Sequence, residues 1–357
     1  VTAHVSLFAA STLLISTCGT TGAMADEPSP GNREQAKAAV VQVMNNSGAG
    51  SGFVYDAGSG LVATTARVVA GNSGLEVIAE GKLPISAQLL GSDLCQDLAV
   101  LKVEPPPTGM KSLQFGNSDL LFNGDVVISL GYPDAGDPQA KTVAVSGAAY
   151  EPVGDVAHLS GPDYPSLIHH SVQMKSGTLG GPVLNKDGEV VGINTGVEVE
   201  DKSTGETRIA AEAISSNHAR SELPALAAGS MKNDPGWWLG AVSDQDLALR
   251  SATTGIDKSS LEKTQKHLQG EGTDGLFVLD VRNDSAAQKA KVQQGAVITA
   301  VNGEAVSSFP ELCDVLEPAE PGAKLSVEGI HSGAGRDSGH RFGEPWTADV
   351  VLAGAGR

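Results

Sequence analysis

Cysteine is scarce in this chain: three residues among 357, at positions 18, 95 and 313. No Cys-x-x-Cys and no Cys/His cluster is present, so no zinc-type ligand spacing can be read. No metal site and no cofactor is expected. Cys95 and Cys313 lie far apart in sequence and read as two small buried apolar residues. A disulfide between them is the other reading, open only in an oxidising compartment. Positive charge is also short. Lys and Arg number 24 against 42 Asp and Glu, a formal charge of −18. That field excludes nucleic acid and anionic membrane surfaces as partners. Aromatic residues make up 4% of the chain. No apolar run reaches the roughly 18 residues that a membrane span needs. Glycine, by contrast, is abundant at 44 residues. A glycine-rich, aromatic-poor chain without heptads reads as many short strands joined by turns.

The first 25 positions carry no Asp, Glu, Lys or Arg. Val5 to Ser16 is a short apolar run, followed by Ala23-Met24-Ala25 and then Asp26-Glu27-Pro28. This layout predicts a secretory signal, residues 1–25, cleaved after Ala25. The location expected is the cell envelope or outside the cell. An uncleaved anchor and a lipid attached at Cys18 remain alternatives. A flexible linker is expected over 26–35.

Strand signals crowd the next stretch. Val40 to Val43, Gly52 to Tyr55, Leu61 to Thr64, Leu75 to Ala79, Ile85 to Leu90 and Leu98 to Val103 form a first series. Pro105-Pro106-Pro107 interrupts it and cannot sit in a central strand. A second series runs through Asp125 to Leu130, Thr142 to Val145, Leu167 to Ser171, Pro182 to Leu184 and Val190 to Asn194. This spacing predicts a sandwich or barrels, in two halves. After a break at Ser230 to Gly236 the texture turns to α+β. A strand near Trp238 to Val242 is followed by helix-like stretches at Asp244 to Arg250 and Ser259 to His267. Strands near Leu276 to Val281, Ala296 to Val301, Lys324 to Ile330 and Trp346 to Leu352 complete the module, with helices near Ser285 to Lys291 and Phe309 to Glu317.

Three segments carry a specific likeness: Gly50-Ser51-Gly52-Phe53-Val54 with Ala66-Arg67-Val68-Val69; Gly91-Ser92-Asp93 with Asp97-Leu98-Ala99-Val100-Leu101; and Gly177-Thr178-Leu179-Gly180-Gly181-Pro182 with Gly188 to Asn194. In this order they resemble the HtrA/Deg type of trypsin-like serine protease. Trp238-Leu239-Gly240-Ala241 resembles the carboxylate-binding loop of a PDZ domain. Gly275 to Val278, Gly295 to Ile298 and Val301-Asn302-Gly303 resemble its core. The resemblance implies a mainly β protein, a chymotrypsin-like double β-barrel followed by an α+β PDZ domain. Its boundaries are placed at 36–225 and 236–353, with a linker over 226–235.

The same resemblance puts Arg67 where the family has its catalytic His and Leu179 where it has the nucleophilic Ser. Only Asp97 matches. Acyl transfer of this type needs an oxygen nucleophile, a base and a carboxylate that orients the base. Leu179 offers no nucleophile, and Arg67 stays protonated and cannot accept a proton. A pseudoprotease follows as the first expectation. Arg67 is expected to pair with a buried Asp97, and Leu179 to plug the former nucleophile site with apolar surface. Gly177 and the Leu179 amide are expected to keep an anion-binding concavity like an oxyanion hole. The PDZ-like part would capture peptide or protein C-termini at Leu239, Gly240 and Ala241, with the peptide added as a strand. Leu312 and Leu316 are candidates for its side-chain pocket, or plain core residues. The work implied is chaperone-like holding, adaptation, or regulation of an active protease relative, in an assembly that includes homo-oligomers. Two other classes stay open: an active secreted endopeptidase using non-standard residues, and a structural scaffold without a peptide ligand.

Overall fold

The computed structural model describes residues 30–353, except for 46–47, 72–73, 135–136, 138–140, 151–165, 197, 202–205, 210, 232, 245–246 and 248–254. The signal read over 1–25 lies outside the described residues. So does most of the helix read at Asp244 to Arg250.

A short helix, α1 (Pro30–Lys37), opens the described chain. The polar composition here predicted a flexible linker. The helix forms because Ala36 is buried against the strands that follow, at 2% exposure, while Lys37 pairs with Glu34 on the open face. Six strands then close a first barrel: β1 (Val40–Asn45), β2 (Gly48–Asp56), β3 (Leu61–Thr64), β4 (Leu75–Ala79), β5 (Ile85–Asp93) and β6 (Leu98–Val103). A one-turn helix, α2 (Ala66–Val69), sits between β3 and β4. The second barrel uses β7 (Val126–Gly131), β8 (Val143–Tyr150), β9 (Leu167–His170), β10 (Pro182–Leu184), β11 (Val190–Thr195) and β14 (Glu212–Ser215). A hairpin of β12 (Glu198–Asp201) and β13 (Glu206–Ile209) stands off it. Closure removes the free edges that open sheets must protect.

Strands such as β1, β3, β6, β7, β10, β11 and β14 bury both faces, which is why they read as near-continuous apolar runs. Val41 and Val43 join a core shared with Val127, Val183 and Val191 of the second barrel. Val40 faces the other way, into a core with Ile128, Leu130 and Ile193. Helix α3 (Ser216–Ala227) seals that second core with Ala219, Leu223 and Leu226. It follows directly from β14, and Ser215 caps it by accepting from the His218 amide. Helix α3 passes so close to β5 that a Cβ on Gly91 would stand 2.2 Å from the Leu226 carbonyl oxygen. Only glycine fits that crossing.

The C-terminal sheet runs β15 (Trp237–Ala241), β16 (Leu276–Val281), β17 (Val297–Val301), β19 (Lys324–Ile330), β20 (Pro345–Val351), with the two-residue β18 (Glu304–Ala305) on β17. Helix α4 (Lys258–Gly270) covers one face through Leu261 and Leu268. Helices α5 (Ala286–Lys289) and α6 (Phe309–Leu316) cover the other. A capping box at Ser308 and Glu311 fixes the start of α6. The described molecule is thus mainly β, with two closed six-stranded barrels and a PDZ-like sheet domain.

One expectation is corrected here. Cys95 and Cys313 are not separate apolar fillers; they form a disulfide, with Cα atoms 5.6 Å apart. Barrel and C-terminal domain pack directly on each other, so residues 218 positions apart meet. The break at Ser230 to Gly236 packs against both domains. Asn233 and Asp234 are buried, and Asp234 pairs with Arg282 at 2.8 Å.

Candidate functional site

Asp97, in the turn between β5 and β6, meets the end of β11 from the second barrel. Its backbone is left-handed, at φ 47°, a region Asp enters more readily than most residues. That turn sends the carboxylate inward, where the residue is 2% exposed. Oδ1 accepts from the Arg67 amide at 3.0 Å. Oδ2 accepts from Arg67 Nε at 2.7 Å and from the Thr195 hydroxyl at 2.7 Å. Arg67 Nη1 donates to the Gly196 carbonyl. Both carboxylate oxygens are thus engaged, and the guanidinium spans from α2 to the end of β11. The ion pair expected from the sequence is formed. Thr195 and Gly196, which complete this constellation, lie just beyond the motif segment that ends at Asn194.

Leu179 lies at 9% exposure, packed in the core that also holds Val68, Val172 and Met174. A tight 3-10 turn, Ser176–Thr178, precedes it. Here the geometry differs from the expected concavity. The Leu179 amide donates to the Ser176 carbonyl at 3.1 Å, inside the turn. The Gly177 carbonyl accepts from the Ser51 hydroxyl at 2.7 Å, and that oxygen in turn accepts from the Tyr132 amide. The Leu179 donor that an oxyanion would need is thus engaged within the turn. Thr178 Oγ1 donates to the Lys175 carbonyl, so the nearest hydroxyl is held in the same turn. Gly180 follows at φ 84°, and a Cβ there would stand 2.2 Å from the Ser51 carbonyl oxygen. The loop is locked from behind.

The C-terminal site residues are distributed differently. Leu239, Gly240 and Ala241 lie on β15, an edge strand whose only strand partner is β16 among the described residues. Leu312 and Leu316 are 1% and 0% exposed in the core beneath α6. They are core residues and present no open wall. Trp237 is fully buried in that core, while Trp238 is half-buried on the opposite face against the α4 cluster. Among the described residues no group of three or more His, Cys, Asp or Glu is placed to hold a metal.

Two buried titratable groups flank the barrels. His170, at the end of β9, is 1% exposed. Burial pushes its pKa down to about 4. Asp93, at the end of β5, accepts from the Cys95 and Gln96 amides and from Asn233. Burial outweighs those bonds and raises its pKa to about 6.

This architecture defines a class, a trypsin-like peptidase domain joined to a PDZ domain. Residues 50–193 match the family described as "Trypsin-like peptidase domain", and residues 277–328 match "PDZ domain". The chain is a homologue of the HtrA/DegP serine proteases. It is 28% identical over 293 residues to the "Probable periplasmic serine protease do/HhoA-like" of Haemophilus influenzae, covering 82% of this chain and 58% of that protein. It is 30% identical over 279 residues to the "Probable periplasmic serine endoprotease DegP-like" of Brucella suis, covering 78% of this chain and 49% of the relative. The chain spans about half to two thirds of the length of such relatives. A solved structure, "HtrA-type protease AlgW with tripeptide", aligns with a TM-score of 0.49 at 22% identity, covering 91% of this chain and 97% of that one.

Proposed function

We propose that this chain is a non-hydrolysing member of its class, which binds peptide C-termini through the PDZ-like domain in an envelope or extracellular compartment. One observation carries the reading: the Asp97 carboxylate, which would orient a catalytic imidazole, is occupied by the Arg67 guanidinium. Arginine cannot take a proton from a nucleophile. Leu179 supplies no nucleophilic atom, and its amide donates within the preceding turn. The names of the periplasmic relatives and the Cys95–Cys313 bond both support an oxidising location. A holding, adapting or regulating role is consistent with retained peptide binding and lost cleavage. The second reading, an active endopeptidase, has the relatives' names in its favour. It requires a base and a nucleophile, and His169 and His170 stand on β9, outside the Arg67–Asp97 constellation.

Binding is tested with fluorescein-labelled decapeptides that end in an apolar residue, each made with a free carboxylate and as the amide. The expected result is saturable binding that weakens about tenfold or more on amidation, because charge-assisted bonds to the β15 loop are lost. Equal binding of acid and amide, or none of either, contradicts the proposal.

A further inference from the structure

The Cys95–Cys313 bond joins two places that the function depends on. Cys95 lies two residues before Asp97, in the turn from β5 to β6. Cys313 lies on α6, one residue from Leu312 in the PDZ-like core. Their Cα separation of 5.6 Å falls within the range that a disulfide requires. The turn is seated as well as bonded. Leu94 packs against the same core, which counts Cys95 among its own members. Beside it, Gln96 bridges the two bodies: its Nε2 donates to Glu317 at 3.1 Å, and its Oε1 meets His218 Nε2 of α3 at 2.7 Å. The chain between the domains returns to the same turn. Asn233 donates to Asp93 at 2.9 Å, and the Ser92 amide donates to the Ser230 carbonyl at 3.1 Å.

We propose that this disulfide is a redox-controlled clamp, which holds α6 against the turn carrying Asp97 and makes barrel and PDZ-like domain one rigid unit. The Gln96–Glu317 contact is exposed and weak alone. Among the contacts between the turn and α6, the covalent bond is therefore the strongest tie. Reduction by a dithiol opens it: the dithiol gives two electrons and two protons and closes its own disulfide, leaving two thiols here. Cys95 and Cys313 are 2% and 7% exposed, so a dithiol reaches the sulfur only through a local opening of the turn against α6. The clamp thus yields to a dithiol only as fast as that local opening occurs. It does not depend on a peptide ligand.

The test uses the full chain made in an oxidising host compartment. Alkylation after denaturation without reductant is expected to leave Cys95 and Cys313 unlabelled, with a linked peptide in the digest. Treatment with dithiothreitol is then expected to raise amide hydrogen exchange across 92–97 and 309–316 about tenfold or more. Exchange in β3 and β6 is expected to stay unchanged. Cys95→Ser/Cys313→Ser should reproduce the reduced pattern; if it fails to fold, reduction of the native chain gives the same readout. Alkylation of both thiols before reduction overturns the proposal. So does exchange that reduction leaves unchanged. Neither readout involves peptide, so its failure is separate from failure of the peptide-binding reading.

Discussion

Replacing Arg67 by methionine should cost about 3–5 kcal/mol of stability, the typical penalty for stripping one partner from a buried ion pair. The side chain of Asp97 is 3% exposed and that of Arg67 19%, so water cannot take over from the guanidinium. The Thr195 hydroxyl and the residue 67 amide remain as donors, which sets the loss toward the lower end of that range. A second change identifies the cause. Adding Asp97→Asn removes the stranded charge, and asparagine tolerates the left-handed backbone at this position. The double variant should recover most of the lost stability. Urea unfolding at pH 7 checks both. A loss under about 1 kcal/mol for Arg67→Met would place the pair among surface ion pairs, which contribute little.

The second large effect is on acid stability, and it divides between two groups of opposite sign. His170 titrates near 6.5 when unfolded and about 4 when folded. Between those values the unfolded chain binds more protons. Stability from His170 is therefore complete above pH 6.5 and is lost as pH falls toward 4. Asp93 runs the other way, from 3.8 unfolded to about 6 folded. The folded chain holds its proton longer, so stability is lost as pH rises through that window. Each shift corresponds to about 3 kcal/mol at its full extent. In the native chain the two contributions largely cancel between pH 4.5 and 6. His170→Leu should expose the Asp93 slope, with stability gained on acidification. Asp93→Asn should expose the His170 slope, with stability lost. Urea unfolding at pH 4.5 and 6.5 for both variants checks this. Slopes of the same sign would show that the pair is not responsible.

Much of the fold is legible in the sequence, for a physical reason. Strands buried on both faces give dense Val and Leu runs such as Val40 to Val43 and Leu98 to Val103, and those runs mark the barrels. The Arg67–Asp97 pair was legible because a buried carboxylate demands a partner. Helix α3 was not. Pro224 falls inside it, and its apolar positions are few. Its signals were the Ser215 cap and the short Ala219, Leu223, Leu226 stripe, which Pro224 interrupts. The domain-bridging disulfide was illegible too, since two cysteines far apart carry no spacing information. The state of the turn at Ser176–Thr178 depends on where one peptide carbonyl points, and residue types do not encode that.

The most direct measurement is casein hydrolysis by residues 26–357, beside the Arg67→His/Leu179→Ser double variant and an Asp97→Ala control. The native chain is expected to leave casein intact, because Arg67 occupies the carboxylate and Leu179 offers no nucleophile. Cleavage gained by the double variant would show that those two side chains alone disarm the site. Cleavage by the native chain that Asp97→Ala abolishes would contradict the claim that this site is catalytically silent.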